Sequence, residues 1–264
     1  MMDLFLYISI FISGTVFGSF FSLAIYRLPR KENITYVRSH CTSCNHELKL
    51  LDLIPVWSYL LLGGKCRYCK EKIRSRYILL EIFSGMVFVI LALSLNINFL
   101  STIHEFVELF FTYLFVCALF IIGGIDNENY VIHDGTIFYG IILSLIYGIY
   151  NAFLGQSMYD NMIGFFAIPL IFLFIAYITK FSQKIEEPPI GFGDIKYLSL
   201  IGLYLGFGLQ VISLVLAIFI ATIFSIIKKQ KKIAFGFYLS ISTIIVLIMQ
   251  TELLPVTELI NLSL

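Results

Sequence analysis

The chain has 264 residues, 59% of them hydrophobic and 13% charged, with a mean hydropathy of +0.92 and a formal net charge of +1. Soluble domains run at about 45–50% apolar and about 25% charged residues, so the composition excludes an ordinary soluble domain and points to a membrane protein. The near-zero net charge offers nucleic acid no bulk attraction; the lipid bilayer is the expected partner, and nucleic acid is not.

The first apolar run covers 4–26, long enough to span a bilayer, which takes about 20 residues. No Lys or Arg precedes it, unlike the basic start of a secretory signal, so a retained helix is expected. A polar stretch, 27–76, follows. Seven further apolar segments then run over 77–95, 106–125, 134–154, 162–180, 195–208, 209–227 and 234–250. The sixth segment, 195–208, is short for a span and could be tilted, partly re-entrant or merged with the seventh across Gly206-Phe207-Gly208. The expected fold is an all-α polytopic membrane protein of about eight transmembrane helices with a small zinc-ribbon-like loop domain. Three parts are expected: a first helix (1–26), the loop domain (27–76) and a transmembrane domain (77–264).

Cation placement sets the orientation. Of the 18 Lys and Arg, 11 lie between Arg27 and Arg76, and the rest are Lys180, Lys184, Lys196, Lys228, Lys229, Lys231 and Lys232. Eight spans put all 18 on one face, which is therefore expected to be cytoplasmic.

The loop carries Cys41-Thr42-Ser43-Cys44 and Cys66-Arg67-Tyr68-Cys69. Each C-x-x-C turn aims two thiolates at one point, and two such turns complete a closed tetrahedral site suited to structural Zn²⁺. A reducing cytoplasm disfavours disulfides. His40 and His46 flank the first pair and read as surface residues; Cys117, inside a span, reads as core.

A charged group at membrane depth is costly and marks function by default. Asp126 ends the third span, in Gly123-Gly124-Ile125-Asp126, and Asp194 opens the sixth, in Gly191-Phe192-Gly193-Asp194. The topology puts both at the cytoplasmic face. Two carboxylates sharing one proton there could activate water and protonate a leaving group. The alternative is two helix-end residues. Asp194 would suit a helix N-terminus, whereas Asp126 sits at a C-terminal end, where negative charge is disfavoured. Gly191 and Gly193 would let backbone or substrate approach. Lys196 could tune a carboxylate or anchor to lipid phosphate, and Asp134 is expected to cap the next helix. Asp52, Glu71 and Glu81 are expected in ion pairs of the basic loop. Gly14-x-x-x-Gly18 and Gly202-x-x-x-Gly206 would allow close helix packing.

Gly18-Ser19-Phe20 with Tyr26-Arg27-Leu28-Pro29, the double C-x-x-C loop, Asp52-Leu53-Ile54-Pro55-Val56-Trp57, Gly64-Lys65-Cys66 and the G-x-G-D motif together resemble type IV prepilin peptidases. The similarity runs from about 14 to about 208. It implies that Asp126 and Asp194 are catalytic aspartates of a bacterial inner-membrane protease. The implied substrates are prepilins or pseudopilins with a basic leader, cut after a glycine at the cytoplasmic face. It also implies N-methylation of the new N-terminus with S-adenosylmethionine, tied to the cysteine loop. The sequence departs from the family at His133, where a proline is usual. A rival reading is a transporter or scaffold with a zinc-stapled loop, its aspartates binding a cation.

Overall fold

In a computed structural model the chain is described over residues 1–183, 191–229, 232–250 and 253. Lys184, Lys231 and the tail after 250 (apart from 253), used above for orientation, lie outside the described residues. Nine α-helices form among the described residues: α1 (Met2–Arg27), α2 (Trp57–Leu61), α3 (Arg76–Ser94), α4 (Ile103–Asn129), α5 (Asp134–Phe153), α6 (Tyr159–Gln183), α7 (Phe192–Leu205), α8 (Phe207–Lys228) and α9 (Phe235–Ile248). There is no strand among them, only two isolated bridges. All-helical architecture is what long apolar runs demand, because lipid offers no partner to backbone N–H and C=O groups and a helix satisfies them internally.

Each of the eight apolar segments becomes a helix. Six of these, α1, α3, α4, α5, α6 and α8, are long and apolar enough to cross a membrane. The other two, α7 and α9, have 14 residues each, about 21 Å against a hydrocarbon core of about 30 Å. The sixth and seventh segments are not merged: Gly206, at φ 80° and ψ 170°, breaks the chain between α7 and α8, a conformation glycine reaches without a Cβ penalty.

The chain divides into two compact units, Met1–Tyr113 and Leu114–Leu264, with α4 running through the boundary. In the first unit α1 packs on α3. A Cβ added at Gly14 would lie 2.8 Å from the Gly85 Cα, and one at Gly18 would lie 2.7 Å from the Glu81 Cα. Small residues thus let the two backbones approach, as the spacing of Gly14 and Gly18 suggests. The buried Ser84 hydroxyl donates to the Gly14 carbonyl at 2.8 Å, and Tyr113 stacks on Phe88 while donating to its carbonyl at 2.7 Å.

In the second unit α7 is the core. Tyr197, Leu198, Leu200 and Ile201 are fully buried, while α6 and α8 turn residues such as Phe174, Tyr177, Val215 and Phe219 outward. Gly202 of α7 meets the Gly164 backbone of α6. The buried Gln210 amide of α8 donates to the Leu198 carbonyl at 2.8 Å. Ser213 of α8 bonds Thr243 of α9 at 2.9 Å.

Candidate active site

Asp126 lies in the last turn of α4, buried at 6% exposure. Its position looks unfavourable on α4 alone, but α9 supplies the compensation. The Phe237 N–H, in the first turn of α9, donates to Asp126 Oδ2 at 3.1 Å. The unpaired N–H groups of a helix start attract anions. Gly236 leaves the room: a Cβ there would fall 3.0 Å from Asp126 Oδ2. Sequence alone offers no helix terminus for Asp126, because this one comes from α9, far along the chain. The Phe235-Gly236-Phe237 stretch is the only trace it leaves in the sequence.

Asp194 sits in the first turn of α7, so it too occupies a helix N-terminus. Gly191 is the N-cap, and a Cβ on it would sit 3.0 Å from Asp194 Oδ2. Gly191 therefore clears space for the carboxylate. Gly193 serves a different purpose, since its added Cβ would lie 3.1 Å from Ile132 Cβ. The same Ile132 reaches the Gly236 position with its Cδ1, at 3.2 Å. Ile132 thus bridges the start of α7 to the start of α9, where Asp126 is held. Both carboxylates are thus held at helix starts that meet at Ile132. The buried Tyr197 hydroxyl shares a 2.7 Å hydrogen bond with Ser240.

The lysine named from the sequence is placed elsewhere. Lys196 Nζ pairs with Asp134 Oδ1 at 2.8 Å, both exposed, and an exposed pair of this kind contributes little to stability. Asp134 does not cap α5; His133 holds the N-cap position and no side chain closes it. His133 has φ −83°, close to the value of about −65° that a proline ring imposes, so the turn keeps its shape without the proline. Another lysine, Lys232, lies over the ring of Tyr130 at 4.7 Å, and the Tyr130 N–H donates to the Asp126 carbonyl. Sequence spacing gives no sign of it.

In the first unit the two C-x-x-C turns are near copies of each other. Cys41 N–H donates to the His46 carbonyl at 3.0 Å and Cys66 N–H to the Glu71 carbonyl at 2.8 Å. Asn45 N–H donates to the Cys41 carbonyl, and Lys70 N–H to the Cys66 carbonyl. Asn45 and Lys70 both take positive φ, 56° and 62°. The four sulfurs lie within 4.8 Å of one another, with Cys41 and Cys69 at 3.9 Å. A tetrahedral Zn²⁺ with bonds of about 2.3 Å would space its sulfurs about 3.8 Å apart, so the donor set fits that ion. All five cysteines are free thiols. Burial pushes the Cys41 thiol up, but the N–H groups of Cys44 and Ser43 and the neighbouring thiols outweigh this and draw it down, while the same thiols push Cys69 up.

The loop is braced at both ends. Asp52 accepts from Arg67 Nε at 2.6 Å, Tyr68 Oη at 3.0 Å and Lys49 N–H at 3.1 Å. Burial raises its pKa, and these bonds more than offset that, holding the carboxyl below its ordinary range. Tyr68 in turn lies against the His46 ring, centroids 3.6 Å apart. Arg27, buried at the end of α1, donates to the carbonyls of Asn33, Val37 and Arg38 at 2.8–3.1 Å. Glu81 departs from the expected ion pairing: its Oε2 accepts the Val56 N–H at 2.7 Å.

Comparison with known proteins follows the same division. The model of the Bacterial Peptidase A24 N-terminal domain matches residues 12–95, and that of the Type IV leader peptidase family matches 113–226. A Vibrio cholerae protein named prepilin leader peptidase/N-methyltransferase is 32% identical over 203 residues, covering 74% of this chain and 76% of its own. Proteins of the same name from Aeromonas salmonicida and Klebsiella pneumoniae are each 26% identical, over 88% and 75% of this chain and 87% and 84% of theirs. No solved structure matches the chain. With both family models matched in order and a relative of this identity and coverage, the chain belongs to the type IV prepilin leader peptidase family.

Proposed function

We propose that this chain is a membrane-embedded aspartyl endopeptidase that removes the basic leader from prepilins or pseudopilins, with Asp126 and Asp194 as its catalytic pair. The observation that carries this reading is that Asp126 is held at the N-terminus of α9 and Asp194 sits at the N-terminus of α7, with Ile132 against both helix starts. The relatives' shared name favours peptide cleavage over cation transport at the same two carboxylates.

The substrate's apolar helix enters from the bilayer while its basic leader stays on the cytoplasmic side. A helical carbonyl is already hydrogen-bonded, so the segment must unwind at the scissile bond, and a glycine there lowers the cost. One carboxylate, ionised, takes a proton from water as the oxygen attacks the carbonyl carbon. The other, protonated, donates to the leaving nitrogen as the C–N bond breaks. Fixed N–H dipoles at the two helix starts hold the negative charge in place. Gly191 keeps a side chain off the Asp194 carboxylate, and Gly193 leaves room for Ile132 between the two helix starts.

In the loop domain, 27–76, Cys41, Cys44, Cys66 and Cys69 hold a structural Zn²⁺ that supplies the core so short a segment lacks. The domain 77–264 carries the peptidase, behind the first helix at 1–26. N-methylation of the new N-terminus, with S-adenosylmethionine as donor, rests on the relatives' name, and no side chain is assigned to it.

The test is incubation of purified protein in detergent with a model prepilin, with and without S-adenosylmethionine, read by mass spectrometry. Loss of the leader after its glycine, plus a methyl increment only when the donor is added, is expected. An intact substrate under both conditions contradicts the proposal.

A further inference from the structure

The 3₁₀ turn Leu50–Asp52 and the short helix α2 belong to the polar loop, yet they expose an apolar face. Leu50, Leu51, Ile54, Trp57, Leu60 and Leu61 are all exposed, Leu50 at 86% and Trp57 at 60%. A loop facing water does not ordinarily gather so many large apolar side chains in so short a stretch. Within α2, Trp57, Leu60 and Leu61 stand at i, i+3 and i+4, which places them on one side of the helix.

Two further observations say what covers this face. The first is depth. Val56 N–H, immediately before α2, bonds to Glu81. Glu81 is five residues into α3, about 7.5 Å along its axis, and its Cα lies against Gly18 of α1, nine residues before that helix ends. The segment therefore folds back beside the first turns of α3 and the last turns of α1 instead of projecting away. Val56 holds φ +62° to do so, a conformation unusual for a β-branched residue. The second observation is charge. Residues 27–76 carry 11 Lys and Arg against four Asp and Glu, a surplus of seven. An apolar face within a loop of such cation surplus suits an element lying in the headgroup region of an anionic bilayer. Trp at its centre suits that boundary.

We propose that residues 50–61 form an interfacial membrane anchor. Leu50, Leu51, Ile54, Trp57, Leu60 and Leu61 sink into the headgroup–acyl boundary, and the surrounding Lys and Arg meet anionic lipid phosphates. The anchor seats the four-cysteine domain flat on the membrane. It makes no use of the peptidase assignment and stands or falls separately from it.

Trp57 is the sole tryptophan of the chain, so intrinsic fluorescence reports this element directly. The full chain is reconstituted into phosphatidylcholine–phosphatidylglycerol vesicles, with bromine on the acyl chains near the headgroups in one set. Expected are blue-shifted emission, strong quenching by the brominated lipid, weak quenching by aqueous iodide, and less bromine quenching when phosphatidylglycerol is left out. Leu60→Asp with Leu61→Asp should reverse the first three while thiol counting shows the cysteine cluster intact. Red-shifted emission quenched by iodide would overturn the proposal, since the face would then be open to water. Blue-shifted emission insensitive to bromine would also overturn it, because protein rather than lipid would cover the face.

Discussion

Gly202→Ala tests how closely the α6–α7 crossing governs the site. The added methyl carbon would lie 2.2 Å from the Gly164 carbonyl oxygen and 2.4 Å from its carbon. Ordinary contact begins at 3.4 Å, so the two backbones must move apart. Neither obstacle is the tip of a flexible side chain, and overpacking of this kind costs about 1–3 kcal/mol. Asp194 lies eight residues upstream on α7, about 12 Å along the axis. A shift of the helix carries that carboxylate with it, and misplacing a reacting group by about 1 Å can cost about 100-fold in rate. Gly202→Ala should therefore lower the unfolding temperature in detergent and reduce kcat for model prepilin cleavage by roughly 10–100-fold, with KM changed far less. Gly148→Ala is the control, because its added carbon would press mainly on the flexible end of Met158; it should cleave at the wild-type rate. If Gly202→Ala cleaves within about twofold of wild type and melts at the same temperature, the close crossing does not position Asp194 and the reasoning fails.

Gly236→Ala places a carbon 3.0 Å from Asp126 Oδ2 and should cut cleavage by about tenfold or more; wild-type turnover would show that the α9 N-terminus does not cradle this carboxylate. Cys66→Ser removes the buried thiol of the proposed zinc site, so metal analysis should find zinc largely lost while leader cleavage persists; retained zinc would contradict the four-thiolate site. Arg27→Lys cannot reproduce the forked donation to three carbonyls. It should cost about 1.5 kcal/mol or more and open residues 33–38 to limited proteolysis, whereas an unchanged digestion pattern would contradict that bracing role.

The sequence is most informative where chemistry is written in side chains at fixed spacing. The two C-x-x-C turns converge because each needs only its own local hydrogen bonds to form. Asp126 and Asp194 are legible because charges in apolar surroundings stand out. What escapes detection is carried by backbone or by distant pairing. The Phe237 N–H that receives Asp126 has no side-chain signature. Lys196 pairs with Asp134 rather than Asp194 because α7 turns it to the exposed side, where the start of α5 lies. Glu81 looks like an ion-pair residue in sequence, yet a backbone N–H takes its carboxylate, since the loop folds back at Val56. Eight apolar segments are visible and the shortness of 195–208 already sets it apart, but its burial as the core helix α7 comes from packing that the sequence does not show.

The most direct test of the paired-aspartate site compares wild type, Asp126→Asn and Asp194→Asn in kcat for model prepilin cleavage, with zinc content and thermal unfolding as checks on folding. Each substitution keeps the shape of the side chain and removes its charge and its acid–base capacity. Both variants are predicted to stay folded and zinc-loaded while kcat falls by at least about 1,000-fold. A folded variant of either aspartate that cleaves near the wild-type rate would contradict the assignment.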